Sequence, residues 1–367
     1  MVIASDRRSI LRYGALAGGG LLLPSCATTP KRPIVAGCLP KVEVSASRVI
    51  RTVAGLRPYR ASGFVVRADP LGDKLLVHNY GHGGAGITLS WGTSKLAVDL
   101  GLPARGGAVA VIGAGIMGLT TARLAQEAGR AVTIYAAQLP PDTTSNIAGG
   151  QWSPFGHYRD SAVTPAWRAQ FAAALDYSWR RFQIMTGDEY GIRWLPTYDE
   201  GGGSESGPLD RYHPGLKHLS RAEHPFALDG IIRFDTMYAE TGRLLRQLMR
   251  DFQAAGGRFA IRRFASPTEL AALPEPLLFN CTGLGSRELF GDEELVPIRG
   301  QLAILLPQPE VRYAFTGEAG YMFPRADGIV LGGTFERGIW STTPEPAAIA
   351  RILALHRQLF DGFRCTA

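Results

Sequence analysis

Val109-Ala110-Val111-Ile112 is apolar throughout, the pattern of a short strand buried on both faces of a parallel sheet. Gly113, Gly115 and Gly118 follow it with the spacing GxGxxG, and Leu119 to Glu127 favours a helix that Gly129 ends. A second strand over Ala131 to Tyr135 completes a strand–helix–strand unit. Later in the chain, Leu244, Leu245, Leu248, Met249 and Phe252 fall on one face of a helix closed by Gly256. A strand is predicted over Arg258 to Phe264. Leu277-Leu278-Phe279-Asn280 then reads as a buried strand running into the small, polar turn Cys281-Thr282-Gly283. Such a turn suits the carboxyl edge of a doubly wound sheet, where ligands bind. A helix over Pro346–Phe360 and a strand starting near Val44 are also predicted, and the fold class is α/β.

The glycine pattern points to a dinucleotide. The first glycine permits the tight turn, the second lets backbone approach a pyrophosphate, and the third allows close helix–strand packing. The helix N-terminus then offers its N–H groups to the anion. The acidic residue that usually ends the second strand and holds a ribose is missing: Ala136, Ala137 and Gln138 stand there. Ribose contact is therefore made elsewhere or is weaker.

Composition narrows the class. With 367 residues, the chain suits two domains or one large one. A hydrophobic fraction of 46% excludes a disordered chain, and a net charge of +7 without a long Lys/Arg block gives nucleic-acid binding no support. The four cysteines contain no CxxC pair, and His157, His213, His218 and His224 show no ligand spacing, so no metal is expected.

Arg7 and Arg8, followed by the short apolar run Gly14 to Leu23, resemble a twin-arginine export signal over residues 1–26. Leu23-Pro24-Ser25-Cys26 also resembles a lipoprotein cleavage site, although Pro24 is unusual there, so a lipid anchor at Cys26 stays open. The expected location is the bacterial cell envelope, periplasmic or membrane-anchored.

Taken together, the motifs resemble the D-amino acid oxidase family of FAD enzymes. VAVIGAGIMG (109–118), TTSNIAGGQW (143–152), NCTGLG (280–285), IRGQ (298–301), YMFP (321–324), LGGTFERG (331–338), GLRPYR (55–60) and HNYGHGGAGITLSWG (78–92) carry the resemblance. In that family the last two segments close the chain, whereas here they precede the Rossmann strand. The order looks like a circular permutation, with Leu102 to Gly107 joining the old ends. The implied architecture is a Rossmann-type FAD domain and a substrate domain with an antiparallel-rich mixed sheet. After a linker at 27–43, substrate-domain segments fall at 44–71, 158–232 and 301–363. FAD-domain segments fall at 72–106, 107–157 and 233–300. Cys38 and Cys365 would flank the opened connection, where a disulfide can re-close it. Cys281 reads as a buried apolar side chain.

The resemblance implies a catalytic set. Arg57 forks to the substrate carboxylate, the Tyr321 hydroxyl touches the same group, and the Gly84 carbonyl receives the amine. FAD would be held by Gly113, Gly115, Gly118, Thr143, Thr144, Ser145, Gly150, Gln151, Thr282 and Gly283, and by Gly81, His82, Gly83, Gly86 and Thr88 beside the flavin ring. His82 is expected to order its turn rather than act as a base, and Arg60 to be structural. The implied reaction is hydride transfer from the Cα of a D-amino acid to flavin N5, giving an imine that hydrolyses to a 2-oxo acid. Oxygen or another acceptor would then reoxidise the flavin. Two departures matter: Gly317 stands where the family has a second active-site tyrosine, and the loop before YMFP is short. A more open pocket follows, suited to bulkier or N-substituted substrates, and Tyr313, in a predicted strand, is either a replacement hydroxyl or a core residue. A non-catalytic flavin-binding protein is the rival from another class, which a carboxylate clamp at Arg57 argues against.

Overall fold

The computed structural model describes residues 38–201 and 209–364. The export signal, Cys26 and Cys365 lie outside the described residues. Among the described residues the strands form two sheets within one compact unit.

The first sheet has six strands in the order Val65–Leu71, Lys74–Tyr80, Leu277–Asn280, Val109–Ile112, Val132–Ala136 and Arg258–Ile261. Every pairing is parallel except the first hairpin. Alternation decides which face each side chain enters. Val77, Val111 and Phe279 join Leu89, Leu119, Leu244 and Phe252 from the helices Gly86–Gly101, Ile116–Glu127 and Thr241–Ala254. Leu76, Ala110, Ile112 and Leu278 face the other way, against Leu270, Leu273 and Leu289. Burial on both faces accounts for the uninterrupted apolar runs read from the sequence.

The second sheet has nine strands. Its path is Val49–Tyr59, Val296–Leu305, Gly328–Gly332, Gly320–Arg325, Ala314–Gly317, Ile192–Asp199, Gly230–Ala239 and Lys217–Ser220, with Glu336–Arg337 paired to Val296–Leu305. It is antiparallel but for one parallel pairing, Ala314–Gly317 with Ile192–Asp199. The helix Pro346–Asp361 covers one face, where Ile352 and Phe360 pack on Leu305 and Leu331.

Several boundaries need correction. Val65–Leu71 falls in the segment expected to serve the substrate domain, yet it lies in the six-stranded sheet. The two-residue turn Gly72-Asp73 folds it back onto Lys74–Tyr80, in register from Leu71↔Lys74 to Val65↔Tyr80. Gly230–Ala239 extends into the 233–300 FAD segment but pairs with Ile192–Asp199 in the other sheet. A one-turn helix at Ala46–Arg48 delays the strand expected near Val44 until Val49. The strand Arg258–Ile261 is shorter than predicted, because Arg262 to Phe264 leave the sheet to line a cavity.

The described ends lie together: Leu39, Val42 and Phe363 share one apolar cluster, and Lys41 Nζ meets Asp361 at 2.6 Å. Cys38 is disulfide-bonded, while Cys281 is a free, buried thiol.

Candidate active site

One cavity of about 720 Å³ runs from the carboxyl edge of the six-stranded sheet to the nine-stranded sheet. At one end it is walled by Gly113 and Gly115, by Thr143, Thr144 and Ser145, and by Thr282 and Gly283. The helix Ile116–Glu127 starts there with Gly115 as its N-cap and no side-chain cap bond, so its first turn keeps N–H groups for an anion. The Ile116 N–H donates to Ser145 Oγ at 3.0 Å. Gly118 does not line the cavity; a Cβ there would stand 1.9 Å from the Gly113 carbonyl oxygen. The third glycine therefore works by letting helix and turn touch, and these residues fit a dinucleotide pyrophosphate.

Sequence reasoning missed the far wall of this end. Arg262, Arg263, Phe264 and Glu288 line the cavity beside Ala136, Ala137 and Gln138, with Arg262 Cζ 4.6 Å from the Phe264 ring centroid. No local motif marks them, because they arrive from a neighbouring strand and a separate helix.

The turn Gly81-His82-Gly83-Gly84 and Gly86 line the middle. His82 is buried, stacks on Phe64 with centroids 5.4 Å apart and contacts Thr93 Oγ1 through Nε2 at 2.9 Å. Burial pushes its pKa down to about 3, so the ring is neutral and holds the turn. Thr88, expected at the flavin, lies outside the lining. It is buried, and its hydroxyl both donates to the Ser153 carbonyl and accepts from the Ser153 N–H, each at 2.9 Å. In the first turn of the helix Gly86–Gly101, it faces Ser153 instead.

At the other end Arg57 projects from Val49–Tyr59, half-buried, beside Tyr321 of Gly320–Arg325. Its Nη1 donates to the Thr334 carbonyl at 3.2 Å, and its Cζ stands 6.0 Å from the Phe335 ring. A Cβ on Gly300 would come within 2.5 Å of Arg57 Nη2, so the guanidinium rests on bare backbone. Among the described residues no carboxylate pairs with Arg57. Arg60 contrasts sharply, bonding Asp292 and Glu294 at 2.9 Å each. Tyr321 stacks on Phe323 at 4.5 Å, and burial raises its hydroxyl pKa against the opposing Arg57 charge, so it stays a neutral donor. Gly84 lies against Arg57, with a built Cβ 3.8 Å from Arg57 Cδ.

Two further positions bear on the site. Tyr313 is buried in the opposite core and donates to the Pro40 carbonyl at 2.8 Å, so it lends the cavity no hydroxyl. The hairpin bearing Gly317 turns over Glu318 and Ala319 alone, and the Glu318 N–H is tied to Glu200 at 2.8 Å.

The model for FAD dependent oxidoreductases of the DAO type matches residues 32–100 and 108–366. The chain belongs to this family. Similar family members include D-amino-acid oxidase of Streptomyces coelicolor, 34% identical over 290 residues, 72% of this chain and 82% of that protein. D-amino-acid oxidase of Rubrobacter xylanophilus is 32% identical over 253 residues, 66% and 74% of the two chains. Glycine oxidase from Geobacillus kaustophilus shares the fold, with a TM-score of 0.52 at 15% identity over 71% of this chain and 80% of that one. This oxidoreductase is an enzyme of the amino acid oxidase type with FAD as its cofactor.

Proposed function

We propose that this enzyme oxidises D-amino acids to 2-oxo acids. The observation that carries the reading is Arg57: a half-buried cation that no carboxylate pairs among the described residues, beside a neutral Tyr321 hydroxyl, in the same cavity as the dinucleotide turn. Arg57 grips the substrate carboxylate with its planar fork, Tyr321 donates to the same group, and the Gly84 carbonyl takes the amine. These contacts fix two substituents of Cα, the carboxylate and the amine. Bound FAD supplies the hydride acceptor. The turns at 81–84, 113–115, 143–145, 150–151 and 282–283, together with Gly86, would hold it through backbone and short hydroxyl side chains. His82 is buried and neutral, and no base is needed when the amine binds neutral.

The two-residue turn Glu318-Ala319 favours a second reading, in which N-substituted or bulkier amino acids are taken as well. Oxygen or another acceptor completes the cycle. We further propose that the chain is a circular permutant exported by the twin-arginine route, with or without lipid at Cys26. The test is anaerobic mixing of the yellow holo-protein with D- and L-amino acids. Bleaching by D-forms alone supports the reading, and flavin that no D-amino acid bleaches refutes it.

A further inference from the structure

We infer that Gln151 selects among substrate side chains, favouring those that carry an N–H or O–H donor. The inference rests on the amino acid oxidation proposed above and names the side-chain preference of that site. Gln151 shares the cavity wall with Arg57 and Tyr321 and is bridged to Tyr238. Its Nε2 donates to the Tyr238 hydroxyl at 3.0 Å, and that hydroxyl pairs with Thr197 Oγ1 at 2.8 Å. Tyr238 and Thr197 are both buried. The Tyr238 ring packs on Phe323 at 5.0 Å, and Phe323 stacks on Tyr321 at 4.5 Å. The amide is thus anchored to the same aromatic column that carries the carboxylate-binding tyrosine.

Tyr238 engages one of the two amide N–H groups, and Gln151 itself lines the cavity. Among the described residues no protein donor reaches its Oε1, and that oxygen is absent from the buried, unsatisfied atoms. The same cavity is also lined by the apolar Ile147, Leu302, Phe323 and Phe155. A side-chain acceptor in such a cavity discriminates between substrates with and without a donor. A substrate without a donor displaces water from Oε1 and leaves it unpaired, whereas a matching donor restores the bond. The backbone of Gln151 remains available to the cofactor while its side chain reads the substrate.

Three D-amino acids of similar shape separate the possibilities: D-asparagine with a donor, D-aspartate with acceptors only, and D-leucine with neither. In the holoenzyme, kcat/KM is expected to rank D-asparagine above the other two. Gln151→Leu is expected to lower the asparagine-to-leucine ratio about 10- to 100-fold. Tyr238→Phe, which frees the amide without touching substrate, is expected to lower it to a smaller degree, with the flavin spectrum marking intact holo-protein. A ratio unchanged in both variants overturns the inference, as does a wild-type preference for D-aspartate. Oxidation of D-leucine or glycine with an unchanged ratio spares the proposed reaction and removes only Gln151. A wild-type flavin that no amino acid bleaches overturns both.

Discussion

Replacing Arg57 with alanine tests the carboxylate clamp with little disturbance to the fold. Among the described residues Arg57 bonds the Thr334 carbonyl at 3.2 Å and the Tyr321 hydroxyl, together worth about 2 kcal/mol. Tm should therefore fall by no more than about 4–8 °C. The loss to catalysis is larger. Two parallel bonds to a carboxylate contribute about 1.5–3 kcal/mol each, and partial exposure of Arg57 sets the lower end, about 3 kcal/mol in total. At 1.4 kcal/mol per tenfold, kcat/KM for D-alanine drops about 100-fold. Arg57→Lys keeps the charge without the fork, and a loss of about 10-fold is expected. The assay is stopped-flow bleaching of the flavin under anaerobic conditions, with D-alaninamide run in parallel because it has no carboxylate. Wild type should strongly prefer the acid, and Arg57→Ala should erase that preference. Retention of wild-type kcat/KM, or an equal loss on acid and amide, would show that Arg57 does not bind the carboxylate.

Other expectations follow from the same geometry. Gly300→Ala places a methyl 2.5 Å from Arg57 Nη2 and should displace the guanidinium. A displacement near 1 Å costs about 100-fold in kcat/KM, and unchanged kinetics would contradict the packing. Gly118→Ala sets a Cβ 1.9 Å from the Gly113 carbonyl and should weaken FAD retention, read as loss of flavin absorbance through gel filtration. Full retention would mean that the turn does not hold the dinucleotide. His82 and His157 are buried and kept neutral, with pKa values lowered from 6.5 to about 3 and about 4. Between pH 6.5 and about 4 the unfolded chain binds protons that the folded one does not, so stability is full above 6.5 and falls with pH. The slope is about 1.4 kcal/mol per pH unit per histidine. Denaturant midpoints at pH 7 and 5 should show it, His82→Gln should flatten it, and equal slopes would count against a neutral His82. The Cys38 disulfide is expected to join Cys365, and peptide mapping under non-reducing conditions that finds Cys26 instead would refute the re-closed connection.

Short-range patterns carried the dinucleotide half of the site. Val109–Ile112, the GxGxxG turn and the helix to Glu127 are contiguous, and each follows from apolar runs and glycine sterics that act within a few residues. The predicted strand Leu277–Asn280 and helix Thr241–Ala254 are likewise local. Arg57, Gly84 and Tyr321 were brought together by resemblance alone, since no spacing in the chain relates them. Arg262 and Glu288 left no signal, because neither the loop after Arg258–Ile261 nor the short helix Gly285–Phe290 declares the cavity its side chains enter.

By itself, the sequence determined the strand–turn–helix unit Val109 to Glu127, the strands beside it at Val132–Ala136 and Leu277–Asn280, and the helix Thr241–Ala254, while the role expected of Arg57 came from the family resemblance. Tertiary structure alone decided the pairing of Val65–Leu71 with the six-stranded sheet, the turning of Thr88 onto Ser153, and the burial of Tyr313 against Pro40. It alone set the line from Gln151 through Tyr238 to Thr197. The division is physical. Periodicity and turn chemistry are properties of neighbouring residues, whereas a side chain's partner is chosen by packing between segments far apart in the chain.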